Sequence, residues 1–169
     1  MTMTLTRPTD RADADPGEGR LLLVDDHKLL ADTLQAALSL AGFDAAVSPC
    51  GTAAEVLAAA AEMRPALVVL DLELEAAGHG SDLVGPLRDL GAAVVVLTGT
   101  TDRIELARCL EAGALGVVSK ANGFVSVLDH IRRAALGERV TPAADRMALL
   151  SELESHRRAD ERRWAKFEL

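Results

Sequence analysis

The strongest constraint on how this chain folds is a repeated pair: a short unbroken apolar run, then a segment with apolar residues at helical spacing. Leu21-Leu22-Leu23-Val24 opens the pattern. A run this short with no polar alternation reads as a strand buried on both faces. Leu30, Leu34, Ala37, Leu38 and Ala41 then recur at helical spacing, and Gly42 stands where a helix ends. Four more pairs follow. Strand-like runs lie at Ala45–Val47, Ala66–Leu70, Ala93–Leu97 and Leu115–Val118. Helical stretches lie at Thr52–Met63, Asp82–Leu90, Asp102–Ala112 and Phe124–Leu136. Strands alternating with helices imply right-handed crossovers and one parallel sheet.

The expected fold class is therefore α/β: a flavodoxin-like, doubly wound, five-stranded parallel sheet with helices on both faces, followed by a C-terminal helix. With three Phe, one Trp and no Tyr in 169 residues, its core has to be built from Ala, Val and Leu. Residues 1–19 read as a disordered tail, 20–137 as the domain and 138–169 as a helical linker. A net charge of −8 argues against nucleic-acid binding by the chain itself. Cys50 and Cys109 show no metal or redox spacing and read as reduced thiols. The N-terminus lacks an apolar signal core and no apolar run reaches membrane length, so a cytoplasmic location is expected.

In a doubly wound sheet, reactive groups gather beyond the carboxyl ends of the strands. Asp25-Asp26 follow the first run, Asp71 the third, Thr98 the fourth and Lys120 the fifth. Each has a plainer reading alone: Asp26 or Asp102 could simply cap a helix, and a lone Thr or Lys there is commonly structural or solvated. Coincidence does not explain the whole set. Clustered carboxylates raise one another's pKa unless a cation sits among them, and hard oxygens with no His or Cys beside them select Mg²⁺. Such an ion would polarise a phosphoryl group for attack by a carboxylate oxygen. Lys120 would pair with one phosphoryl oxygen and the Thr98 hydroxyl would donate to another. Asp71 is the expected nucleophile, because it ends the central strand while the Asp25-Asp26 pair is better arranged to hold metal.

The order Leu-Leu-Val-Asp-Asp, Val-Val-Leu-Asp-Leu, Val-Val-Leu-Thr-Gly, Gly-Ala-Leu-Gly-Val-Val-Ser-Lys resembles the response-regulator receiver family of two-component signalling over residues 20–137. The resemblance implies a sensor histidine kinase as phosphodonor and Asp71 as phosphoacceptor. It also implies Mg²⁺ held by Asp25 or Asp26 (directly or through water), Asp71 and the backbone carbonyl of Glu73. Thr98 and Lys120 match the family's switch hydroxyl and lysine. A protein of this kind is a switch and not a turnover enzyme, with only self-catalysed gain and loss of the phosphoryl group. A phosphorylation-dependent homodimer would use the face of Asp102–Ala112, Leu115–Val118 and Phe124–Leu136.

The sequence also departs from the family. Glu75 stands where the family has Pro, and the loop Glu73–Gly80 is longer than usual. Glu73 either adds a carboxylate beside the metal or points with Glu75 to solvent; His79 is expected to be exposed. Val117 replaces the family's switch aromatic, so output would rely on shifts of the loop and helix after Asp102.

Beyond Gly137, Thr141 and Pro142 look like an N-cap and first helical residue. Met147, Leu150, Leu153, Trp164 and Phe167 mark a seam for a linker or dimer contact; alternatively the helix is solvated and partly covers the domain. Arg157, Arg158, Arg162 and Arg163 interleave with Glu154, Asp160, Glu161 and Glu168, which favours an ion-paired face. Lys120-Ala121 and Gly137–Pro142 resemble the class carrying a LuxR-type helix-turn-helix, so DNA would be bound only through a C-terminal domain absent from this chain. Two other functions compete. A haloacid-dehalogenase-type phosphohydrolase wants Asp-x-Asp on its first strand, whereas Asp71 lies on the third. An atypical receiver would act by protein contacts without phosphorylation.

Overall fold

The computed structural model describes residues 19–167, so the expected N-terminal tail, apart from Gly19, and the last residues Glu168 and Leu169 lie outside the description. The elements in order are β1 (Arg20–Val24), α1 (Lys28–Leu40), β2 (Asp44–Val47), α2 (Ala53–Met63) and β3 (Leu67–Leu70). Next come a small pair, β4 (Glu73–Leu74) and β5 (Gly78–His79), then α3 (Val84–Asp89) and β6 (Ala93–Thr98). The chain ends with α4 (Arg103–Glu111), β7 (Gly116–Ser119), α5 (Phe124–Ala135) and α6 (Ala143–Ala165).

β2, β1, β3, β6 and β7 form one sheet in that order, every neighbour parallel. The chain turns outward from β1 to β2 and then crosses back to β3, so the topological switch point lies between β1 and β3. The apolar runs are unbroken because alternate residues serve two cores. Leu22, Val24, Val68, Leu70, Val94 and Val96 pack with Val56 and Ala60 of α2 and Val84 and Leu87 of α3. Leu21, Leu23, Leu67, Val69, Val95 and Leu97 pack with α1 and α5 on the other face. Side chains of the Ala, Val and Leu class fill both layers, as the scarcity of aromatics requires.

Local chemistry sets the boundaries. Thr52 and Glu55 form a reciprocal capping box on α2, and Asp102 caps α4 by accepting from Ile104 N–H and Glu105 N–H. Gly42 takes φ +96° directly after the last turn of α1, a conformation that a side chain resists.

Several expectations change. The stretch Asp82–Leu90 is not one helix: Gly80–Leu83 is a 3₁₀ turn, and α3 starts at Val84 with Pro86 in its first turn, where a missing N–H costs nothing. The loop after Asp71 folds as a hairpin, with Glu73 opposite His79 and Leu74 opposite Gly78. Asp26 caps no helix; His27 holds the cap position of α1 and makes no side-chain cap. Thr141 is not the cap of α6 either. Pro142 takes that position, and the buried Thr141 hydroxyl instead accepts from Val117 N–H at 2.8 Å. With Val140 N–H donating to Leu115 O at 3.3 Å, Val140 and Thr141 cover the free edge of β7.

α6 then lies on α4. Leu149 and Leu153 are buried against Ala107 and Leu110, with Leu150 and Ile104 at the margin. The Arg146 guanidinium donates to Leu110 O in the last turn of α4 and to Ala114 O just beyond it. Two forked pairs, Arg103–Glu152 and Arg157–Glu111, each reach 2.7 Å across the two helices. Of the expected seam, Leu153 is buried and Leu150 half-buried, Leu149 joins them, and Met147, Trp164 and Phe167 are exposed. The first half of α6 thus covers the domain. It occupies the α4 side of the face expected to serve self-association. Among the described residues, no helix is long and apolar enough to cross a membrane.

Candidate functional site

β1 delivers Asp25 and Asp26, β3 delivers Asp71, β6 ends on Thr98, and Lys120 follows β7. Asp71 N–H donates to Val24 O at 2.8 Å, which carries the β1–β3 ladder one step further and sets Asp71 beside Asp25 at the switch point. Asp71 is 1% exposed, Thr98 2% and Asp25 8%.

Lys120 Nζ lies 2.9 Å from Asp71 Oδ2 and 2.8 Å from Asp25 Oδ2. The contact to Asp71 is a hydrogen bond; the one to Asp25 is an ion pair out of hydrogen-bond alignment, and Asp25 Oδ2 is buried with no other partner. Burial pushes the Asp71 carboxyl above its ordinary value, against the lowering effect of Lys120 and of Glu73 N–H, which donates to Asp71 Oδ1 at 3.2 Å. For Lys120, burial alone would lower the pKa, but Asp25 and Asp71 outweigh it and raise the ammonium's value.

Thr98 reaches the same edge, but its hydroxyl oxygen accepts from Thr100 N–H at 3.2 Å and, among the described residues, bonds to neither Asp71 nor Lys120. The series continues: Thr100 Oγ1 accepts from Asp102 N–H at 3.2 Å, and Asp102 caps α4. Glu73 and Glu75 are both exposed, and His79 is exposed as expected. They line an open cleft of about 570 Å³ with Asp26, His27 and Glu105. Glu75 N–H donates to Asp26 Oδ2 at 3.1 Å, tying the hairpin to the acidic pair.

Sequence reasoning missed His27. Its Nδ1 stands 2.9 Å from Asp25 Oδ1, 3.4 Å from Asp26 Oδ1 and 3.6 Å from Asp71 Oδ2, with Lys120 Nζ at 3.3 Å. The hydrogen bond to Asp25 raises its pKa despite the opposing Lys120 charge. The signal is present in the sequence as an imidazole directly after the acidic pair, but a donor set of oxygens alone leaves it out. Asp25, Asp26, His27 and Asp71 each offer a donor atom within 4.8 Å of the others. Three carboxylates and an imidazole meeting around one ammonium, Lys120, leave negative charge in excess, and this set fits a divalent cation.

The profile of the response regulator receiver domain matches residues 21–132, more than half of the chain. The chain belongs to the response regulator receiver family. Among curated relatives, the DNA-binding response regulator MtrA of Mycobacterium tuberculosis is 43% identical over 102 residues, covering 60% of this chain and 43% of that protein. The transcriptional regulatory protein KdpE of the same species is 36% identical over 126 residues, covering 74% of this chain and 54% of that one. The chain thus spans about half the length of these relatives. Among solved structures, a LuxR-family response regulator from an Aurantimonas species aligns with TM-score 0.64 at 23% identity, over 82% of this chain and 96% of that one. A Burkholderia pseudomallei response regulator, solved with a phosphorylated aspartic acid and calcium, aligns with TM-score 0.60 at 26% identity, over 70% and 69%. The receiver match, with Asp71 after β3 and not β1, removes the hydrolase reading.

Proposed function

We propose that this receiver takes a phosphoryl group from a sensor histidine kinase on Asp71, with Mg²⁺ held among Asp25, Asp26, Asp71 and the Glu73 carbonyl. The observation that carries this reading is the Asp71 carboxylate, 1% exposed and bridged to Asp25 by Lys120; its chain neighbours Leu72 and Glu73 line an open cleft with Asp26. When bound, the ion supplies charge neutralisation at the phosphoryl oxygens. The protein's own groups do the rest. Asp71 Oδ1 is fixed by Glu73 N–H. Lys120 already sits on Oδ2 and exchanges that partner for a phosphoryl oxygen. The phosphorylated aspartate and calcium in the Burkholderia relative support this arrangement by analogy.

With Val117 in place of the switch aromatic, output runs through the backbone. The Thr98 hydroxyl has a proton to donate while its oxygen holds Thr100 N–H, and Thr100 holds Asp102 at the head of α4. Drawing Thr98 toward a phosphorylated Asp71 therefore pulls on α4 and on the α6 packed against it. Residues 20–137 act as the receiver, and 138–169 lead to a DNA-binding effector outside this chain; the names of MtrA and KdpE support transcriptional output.

Incubation with acetyl phosphate and Mg²⁺ is expected to add one phosphoryl group by intact mass, labile to hydroxylamine and absent in Asp71→Asn. No modification, and no change in amide resonances with beryllofluoride, would instead support the atypical receiver that works by contacts alone.

A further inference from the structure

We propose that His27 is itself a ligand of the cation held at this site, so that the pocket binds a nitrogen-accepting divalent ion such as Mn²⁺ in preference to Mg²⁺. His27 adds a fourth donor of different chemistry, a role that rests on the reading of Asp25, Asp26 and Asp71 as metal ligands.

Three observations carry it. The first is spacing. Neighbouring donors around a six-coordinate ion with bonds of about 2.1 Å stand about 3 Å apart, opening toward about 3.4 Å for longer bonds. His27 Nδ1 lies 2.9, 3.4 and 3.6 Å from one oxygen each of Asp25, Asp26 and Asp71, so the nitrogen neighbours all three carboxylates at once. The second is an imbalance of partners. Nδ1 carries either one proton or one lone pair, yet it faces three carboxylate oxygens and the Lys120 ammonium. No single protonation state serves all four. A cation at the centre takes the lone pair and the oxygens together. The third is charge: three carboxylates meet a single ammonium, Lys120 Nζ at 2.8 Å from Asp25 Oδ2 and 2.9 Å from Asp71 Oδ2, so negative charge at the site is left in excess.

The ring is also held in place. His27 N–H donates to Asp25 Oδ1 at 2.8 Å, fixing the turn that carries the imidazole, and the residue occupies the cap position of α1 without using its side chain as a cap. An imidazole donor matters little to Mg²⁺, which favours carboxylate and water. It adds to the affinity of first-row ions, least for Mn²⁺ at the foot of the Irving–Williams order and more for the ions after it.

The test uses the full chain. Calorimetric titration with Mg²⁺ and with Mn²⁺ is repeated on His27→Ala and His27→Gln, and pulsed electron paramagnetic resonance of the Mn²⁺ form reads directly bound nitrogen. Because the ring is 58% exposed, both variants are expected to fold, which circular dichroism checks. Expected results are a ¹⁴N coupling in the native protein and in His79→Ala but in neither His27 variant. Mn²⁺ affinity should fall about tenfold or more in those variants, the scale on which even outer-shell partners count. Mg²⁺ affinity should stay nearly constant. Metal binding without nitrogen coupling, or with Mn²⁺ held equally well by the variants, would overturn the role of His27 and leave the carboxylate site standing. Absence of binding by either ion to the native protein would overturn both.

Discussion

Leu153→Ala tests whether α6 is a docked unit or an inseparable part of the domain. Leu153 is 1% exposed and meets Ala107, Leu110 and Leu149. Burying Leu149 and Leu153 contributes about 1.5–3 kcal/mol each, so apolar docking of α6 is worth about 3–6 kcal/mol as an upper estimate. The charged pairs Arg103–Glu152 and Arg157–Glu111 lie at the surface and set direction more than strength. An interior Leu→Ala change costs about 2–5 kcal/mol, and the low end applies here because α6 can lift away before a cavity is left. A loss of about 2 kcal/mol is roughly a thirtyfold rise in the undocked population. Once undocked, α6 has little to keep it helical, since isolated helices are marginal in water. Hydrogen exchange should therefore accelerate by about that factor across Ala143–Arg158, while amides of β1, β3 and β6 keep their rates. Trypsin should cut first at Arg157 and Arg158. Equal acceleration in α6 and the sheet would show one cooperative unit, and unchanged exchange would show that this packing contributes nothing; either result refutes the reasoning.

Two further outcomes concern the site. A Cβ on Gly80 would collide with Asp71 O and lie 2.6 Å from Leu72 Cα, both backbone atoms, so Gly80→Ala should destabilise the protein by about 1–3 kcal/mol and blunt the beryllofluoride response. Urea melts and amide shifts check it; a variant matching the parent in both would sink the close-approach argument. Burial raises the Asp71 carboxyl, so the native state holds that proton at pH values where the unfolded chain has released it. Its contribution to stability is fully present below the unfolded value and is lost as pH rises through the folded one. Asp71→Asn should therefore be more stable than the parent at pH 7, with a flatter melting temperature from pH 4 upward. A variant less stable at pH 7 would contradict the sign.

The sheet was legible because burial on both faces appears in sequence as runs without alternation, and the strand-end rule then located Asp25, Asp26, Asp71, Thr98 and Lys120. What stayed illegible depends on long-range contact. A hairpin with two residues in each strand has no periodicity to read. Thr141-Pro142 looks like a helix start, yet the hydroxyl is claimed by Val117, far back in the chain. Met147 fits a seam counted by threes and fours, but the surface of α4 selects Leu149 and Leu153. His27 looks like an ordinary residue at the head of α1 until the ends of β1 and β3 bring three carboxylates to its ring.

The way α6 is held has a mechanical consequence. At 1.5 Å per residue, α6 is about 34 Å long, and the part beyond Leu153 is an arm of about 18 Å. A clamp at one end of a rigid rod multiplies angle into distance. Turning α4 by about 10° moves the tip of that arm by about 3 Å, several times the shift at Leu149 beside the pivot. Trp164, the single tryptophan of the chain and 74% exposed, rides near that tip. The protein thus carries its own pointer, and the emission of one indole reports a change in the surroundings of its tip without any added label.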